Sequence, residues 1–265
     1  MDDIHVSPVL PLEIELIILQ TALESNMKDT KNLLFVAKYV FDWLIPILYK
    51  VIILNLNKQR AWPPLPLPIA KLPQYGQYVQ HLFIMATPED VADQYLKYCP
   101  NIVNLASWKG FSQPQIEHIL RLPLRQLDLV SRYPSTRIPV IPSVLALFSK
   151  ITHLGLEVLQ IEYLEHFPSL THLVLGPFVA TEVYVELLKQ RPGLKVLVVR
   201  VADFVYSLIP RVVHEDVDDP RVVRIDCQHR ENWRLHALGD PRNAWSLGER
   251  VVEERFARIR ATKSA

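Results

Sequence analysis

Glycine is scarce in this chain, with seven residues in 265. That excludes a glycine-rich phosphate cradle, which needs clustered glycines so that backbone N–H groups can approach the ligand. Cysteine is scarcer still: only Cys99 and Cys227 occur. They fall in different repeats, so no disulfide between them is expected in a reducing setting, and Cys227 reads as a small buried hydrophobe. An excess of one charge is also missing. Lys+Arg number 29 against 28 Asp+Glu, a net charge of +1, so no bulk field points to nucleic acid or an acidic membrane. The densest apolar run, residues 33–56, is broken by Lys38, Asp42, Pro46 and Lys50. Each charge would cost about 2.5–3.5 kcal/mol at a bilayer centre, which argues for a buried helical region and against a membrane span. Asp2 and Asp3 stand where a secretory leader carries basic residues, and no N-x-Ser/Thr sequon occurs; a reducing cytoplasmic or nuclear setting is expected. HExxH, CxxC and GxSxG are absent as well, so no metal, cofactor or catalytic nucleophile is implied.

What the chain does have is a soluble globular balance, 49% hydrophobic and 22% charged, and a recurring phrase, apolar-x-x-apolar-x-apolar. It appears as Val79-Leu82-Ile84, Leu124-Leu127-Leu129, Ile151-Leu154-Leu156, Leu170-Leu173-Leu175, Leu194-Leu197-Val199 and Val222-Ile225-Cys227, with a weaker copy at Ile102-Leu105-Ser107. Its central positions step by 23, 22, 27, 19, 24 and 28 residues. This is the period of a leucine-rich solenoid, in which one strand and one return segment make a repeat. Strand side chains alternate between faces, so the phrase points inward and each coil buries its leucines only against its neighbours. Return segments with apolar residues at three- and four-residue steps are expected to be helical at 88–98, 113–122, 158–167 and 181–190, and the proline-bearing stretch 132–142 is expected to be a loop.

The flanks do not follow the repeat. Helical spacing starts after Leu10-Pro11 with Ile14, Ile17, Ile18 and Ala22, resumes over Leu33, Val36, Ala37, Val40, Phe41 and Leu44, and Pro46 is expected to open a third short helix before a strand at 51–54. Prolines 63, 64, 66, 68 and 73 predict an extended connector. At the other end, residues 243–262 carry one apolar stripe, Leu247, Val251, Val252, Phe256 and Ile259. They are expected to cap the last coil.

Alternation also predicts an outward, solvent-facing recognition surface: His81 and Phe83, Asn104, Gln126 and Asp128, His153, His172 and Val174, Arg224 and Asp226. Its mixture of aliphatic, amide and imidazole groups suits a protein or peptide partner. His153 and His172 fall on neighbouring strands about 4.8 Å apart. Two imidazoles without a further ligand make a poor metal site, and a hydrolase built on them would lack a nucleophile at a recognisable spacing. The acidic run Glu215, Asp216, Asp218 and Asp219 lacks the glycine and terminal glutamate of a calcium loop.

The first module, Leu10-Pro11-Leu12-Glu13-Ile14, then Leu33-Leu34-Phe35-Val36-Ala37-Lys38, then Trp43 and Pro46-Ile47-Leu48-Tyr49, resembles the F-box. Ala37 stands where the pattern has cysteine or serine. Followed by leucine-rich repeats, the whole resembles the F-box-like proteins abundant in mushroom-forming fungi. The resemblance implies an α/β chain divided into a three-helix F-box-like module (1–56), a connector (57–77), a curved repeat solenoid (78–230) with parallel strands concave and helices convex, and a C-terminal cap (231–265). It also implies a non-enzymatic substrate adaptor of a cullin ubiquitin ligase, a monomer within a larger complex. Leu10, Pro11, Ile14, Leu34, Val36 and Lys38 would face the adaptor Skp1, and the repeats would hold a protein substrate. A stand-alone repeat scaffold that binds protein without ligase assembly is the alternative.

Overall fold

Each copy of the leucine phrase forms a short strand, and strand follows strand in parallel. The computed structural model describes residues 10–25, 30–35, 37–55, 67–129, 142–157, 164–177, 181–201, 211–212 and 219–264. Its sheet runs β1 (Val51–Leu54), β2 (His81–Ile84), β3 (Asn104–Ser107), β4 (Gln126–Leu129), β5 (His153–Leu156), β6 (His172–Leu175), β7 (Val196–Arg200), β9 (Val222–Asp226) and β8 (Arg211–Val212). Only β8 is antiparallel, against β9. The fold is therefore α/β, an open sheet with eight parallel strands in chain order. From β2 to β7 the register carries Leu82, Leu105, Leu127, Leu154, Leu173 and Leu197 into one line. All six lie in one buried cluster.

Helices close that face. α5 (Glu89–Tyr98), α6 (Gln113–Ile119), α7 (Pro142–Phe148) and α8 (Thr181–Gln190) fill the return segments. Their Tyr95 and Leu96, Ile116 and Ile119, Leu147 and Phe148, and Leu187 and Leu188 meet the leucine line. Ser112 and Gln115 cap α6 reciprocally, which fixes where it starts. Of the return expected at 158–167, residues 158–163 lie outside the described residues, as do 132–141 of the proline-bearing stretch, whose last residue, Pro142, opens α7.

Several boundaries differ from the expectation. Three N-terminal helices are present, α1 (Leu12–Ser25), α2 (Thr30–Leu34) and α3 (Lys38–Leu48). Ala37, in extended backbone, separates the second from the third. Pro46 sits inside α3 and does not begin a helix; having no N–H, it forgoes the bond to the carbonyl four residues earlier. β1 pairs with β2, so the sheet begins at Val51 and not in the first leucine phrase. Ile45, Leu48 and Ile52 join the main core, tying the N-terminal helices to the sheet. In the connector, 56–66 lie outside the described residues, and from Pro68 onward the chain turns helically through Ile69–Lys71, α4 (Leu72–Tyr75) and Gly76–Tyr78. Pro73 is accommodated in the first turn of α4, where a proline needs no N–H partner.

The largest departure is at the C-terminus. Two helices follow β9, α9 (His229–Ala237) and α10 (Ala244–Ser264). Far from sealing only the last coil, they lie across the second face of the sheet. Trp233 and Ala237 of α9 pack on Val51, Ile53, Phe83 and Ala106. Ala244, Trp245 and Val252 of α10 pack on Val174, Val196, Val198, Val223, Ile225 and Cys227. At Gly248 the helix approaches so closely that a Cβ would stand 2.9 Å from Val196 Cγ1. Both faces of the sheet are thus covered, as long parallel sheets require.

Candidate functional site

The side chains expected to face solvent form two rows under the C-terminal helices. One row is His81, Asn104, Gln126, His153, His172 and Val196; the next is Phe83, Ala106, Asp128, Gly155, Val174 and Val198. Phe83, Asn104, Gln126, Asp128, His172 and Val174 are buried, and His81 and His153 are half-buried. These residues are not the exposed surface that alternation predicts. The cause lies at the two ends of the rows, where the face turns apolar, and an apolar sheet face packs against another layer.

Arg224 and Asp226 depart in another way. Aligning Ile225 with Leu197 would put them on the covered face, but Leu197 pairs with Val222 and Val199 with Arg224. A shift of odd length flips every side chain. Ile225 and Cys227 therefore join the cluster under α10, while Val222 joins the main core. Arg224 donates instead to the Tyr184 hydroxyl of α8, at 2.9 Å.

The polar middle of the covered face is knitted to its cover. Trp233 Nε1 donates to Asn104 Oδ1 at 2.9 Å. Gln126 Nε2 donates to Asp128 Oδ2 at 2.8 Å. Burial pushes the Asp128 carboxyl up to about 6, against the lowering pull of the Gln126 bond and the Arg200 charge. His229, the first residue of α9, brings Nε2 to 3.9 Å from Asp128 Oδ1. Glu157 and Arg200 form a buried ion pair nearby, which leaves few net charges in the layer.

Beside this lies a ladder of two Thr-His pairs on neighbouring strands. Thr152 Oγ1 is 2.9 Å from His153 Nδ1, and Thr171 Oγ1 is 2.8 Å from His172 Nδ1. The two imidazoles stack, centroids 4.2 Å apart and planes inclined by 2°. Trp245 meets both edge-on, at 5.3 and 6.0 Å, and His236 of α9 lies 6.3 Å from His153. Burial holds His153 down to about 3, helped by the charges of His172 and His236. His172 is also lowered by burial, although Glu249, 3.0 Å from its Nε2, opposes the shift.

Hydroxyl, imidazole and carboxylate in sequence is the order of a nucleophile and its base. Here the hydroxyl faces the strand: Thr171 Oγ1 lies 3.2 Å from Thr152 O, the same bond repeats from Thr152 to Arg125 O, and the His172 ring is buried. The ladder ties strands and cover together. No group of three or more His, Cys, Asp or Glu among the described residues is arranged to hold a metal ion.

At the N-terminus, Leu10, Pro11, Ile14 and Lys38 are exposed, Leu34 is half-buried against α3, and Val36 lies outside the described residues. The expected adaptor-facing set leaves out Ile17 and Ile18, which are 59% and 52% exposed, and Phe35, at 87%. Ile14, Ile17 and Ile18 share one face of α1 by spacing, and Leu10 and Tyr39 add to the exposed apolar set. Periodicity finds the stripe but does not tell a stripe that packs from one left open. The contributions of His229, His236 and Glu249 were missed too, because nothing local links them to strands far back in the chain. No family model, no curated protein and no solved structure matches this chain.

Proposed function

We propose that this chain is a recognition adaptor: an F-box-like N-terminal module that docks on a Skp1-like adaptor, joined to a leucine-rich-repeat solenoid that presents a protein substrate for ubiquitin transfer. The observation that carries the reading is the open apolar face of α1, Ile14, Ile17 and Ile18, with Leu10 just ahead of the helix and Phe35 and Tyr39 exposed as well. Exposed apolar area gathered on one element is a common mark of a protein interface. The leucine line shared by successive parallel strands supports the repeat reading. With α9 and α10 over the sheet, substrate contacts fall to the loops beyond the strand ends, where Trp108 is 42% exposed.

Calorimetric titration of the intact chain with a purified Skp1-like adaptor tests this. Saturable binding that is abolished by Leu10→Asp with Ile14→Asp, with the far-UV spectrum unchanged, is the expected result. No binding of the unaltered chain rejects the adaptor reading and leaves the stand-alone scaffold, which the half-burial of Leu34 favours.

A further inference from the structure

Five of the nine histidines, His81, His153, His172, His229 and His236, lie between the sheet and the two C-terminal helices. We propose that α9 and α10 are an acid-released cover, closed over neutral imidazoles at pH 7.5 and lifting below about pH 6, where free histidines take up protons, to bare the Val196, Val198 and Ile225 face. The inference is independent of the adaptor reading.

The charges facing these rings do not compensate imidazolium. Among the described residues two carboxylates reach them: Glu249 of α10, 3.0 Å from His172 and acting also on His236, and Asp128 of β4, 3.9 Å from His229. Fixed cations oppose protonation, Lys50 toward His81, Lys195 toward His172 and Arg200 toward His229. His236 acts on His81 and His153, and His172 acts on His236. Rings stacked at 4.2 Å cannot both be charged without strong repulsion. By contrast, His118 and His166, away from the cover, each sit beside a carboxylate, Asp93 and Glu165. Proton uptake thus favours opening of the layer that holds the five rings.

That layer is also where separation is easiest. The leucine core joins the strands to α5–α8 on the opposite face and contains no residue of α9 or α10. Lifting the cover hydrates the imidazoles, and each one freed favours the open form by up to tenfold per pH unit below about 6.5.

The two cysteines report on the two layers. Cys227 belongs to the cluster under α10 and Cys99 to the leucine core. Both thiols are buried, and burial pushes each up to about 12. The test is labelling by 4,4′-dithiodipyridine between pH 7.5 and 5, with each rate divided by that of the unfolded chain at the same pH. The proposal expects labelling at Cys227 to rise at least tenfold on acidification while Cys99 stays protected. His153→Gln with His172→Gln should reduce that rise at least tenfold. Glu249→Gln, at a half-exposed position, should move the onset to higher pH. Labelling of both cysteines together, protection of Cys227 down to pH 5, or an unchanged onset in Glu249→Gln would each overturn it. Should the double histidine variant be open already at pH 7.5, Glu249→Gln alone decides.

Discussion

His153 and His172 occupy the same position on adjacent strands and stack in parallel, and each is hydrogen-bonded through Nδ1 to the threonine that precedes it. One Thr-His dipeptide, repeated nineteen residues on, thereby makes two successive rungs of a polar ladder. Buried rungs of this kind favour a unique register, because a slipped strand would leave imidazoles and hydroxyls unpaired.

Stability should fall as the solution is acidified from neutral pH. Unfolded histidine takes up a proton near pH 6.5, whereas His81 and His153 in the folded chain are held down to about 3. The unfolded chain binds more protons throughout that window, so each histidine removes roughly 1.4 kcal/mol per pH unit below 6.5. Asp128 acts in the opposite sense. Its folded value, about 6, lies above that of a free carboxyl, so its contribution is complete below about pH 3.9 and is lost as the pH rises through 6. It offsets one histidine, and His172, His229 and His236 are lowered as well. Urea midpoints measured between pH 7.5 and 5 should decrease; a flat or rising series contradicts the burial of these rings.

Gly155→Ala should destabilise the chain by about 1–3 kcal/mol, the usual effect of overpacking. An added Cβ would stand 1.9 Å from Asp128 Oδ1 and 2.9 Å from its Cγ. Combined with Asp128→Ala, the same glycine change should cost measurably less, a coupling that a double-mutant cycle in urea detects. Strict additivity would show that the two residues do not touch.

Trp233→Phe keeps most of the ring and deletes the N–H that reaches Asn104. Asn104 Oδ1, buried beneath α9, then loses its donor, and the expected loss is about 1–3 kcal/mol. A variant as stable as the parent would place the indole outside the sheet face. Thermal unfolding followed by circular dichroism makes the comparison.

The leucine phrase made seven of the nine strands and their order legible, because inward leucines at a regular period leave few ways to stack; β1 and β8 lie outside it. The polarity of the second face misled. His, Asn, Gln and Asp at its centre imitate a solvated strand, although Val174, Val196 and Val198 at one end and Phe83 at the other already require a partner layer. Parity failed at β9 for a definite reason: Val222 on one face and Val223 and Ile225 on the other are all apolar, so the pattern fits either register. Contacts such as Trp233 to Asn104, 129 residues apart, leave no local trace, and α9 was missed for the same reason.

The most direct test of the double-covered sheet is a cross-link between its second face and α10. A Cβ built on Gly248 lies 2.9 Å from Val196 Cγ1, and a disulfide needs its two Cβ atoms about 3.5–4.5 Å apart. Gly248→Cys with Val196→Cys should therefore oxidise at pH 7.5 to a disulfide that joins the two peptides in mass spectrometry. Both introduced thiols remaining reduced and freely reactive at that pH would contradict the account.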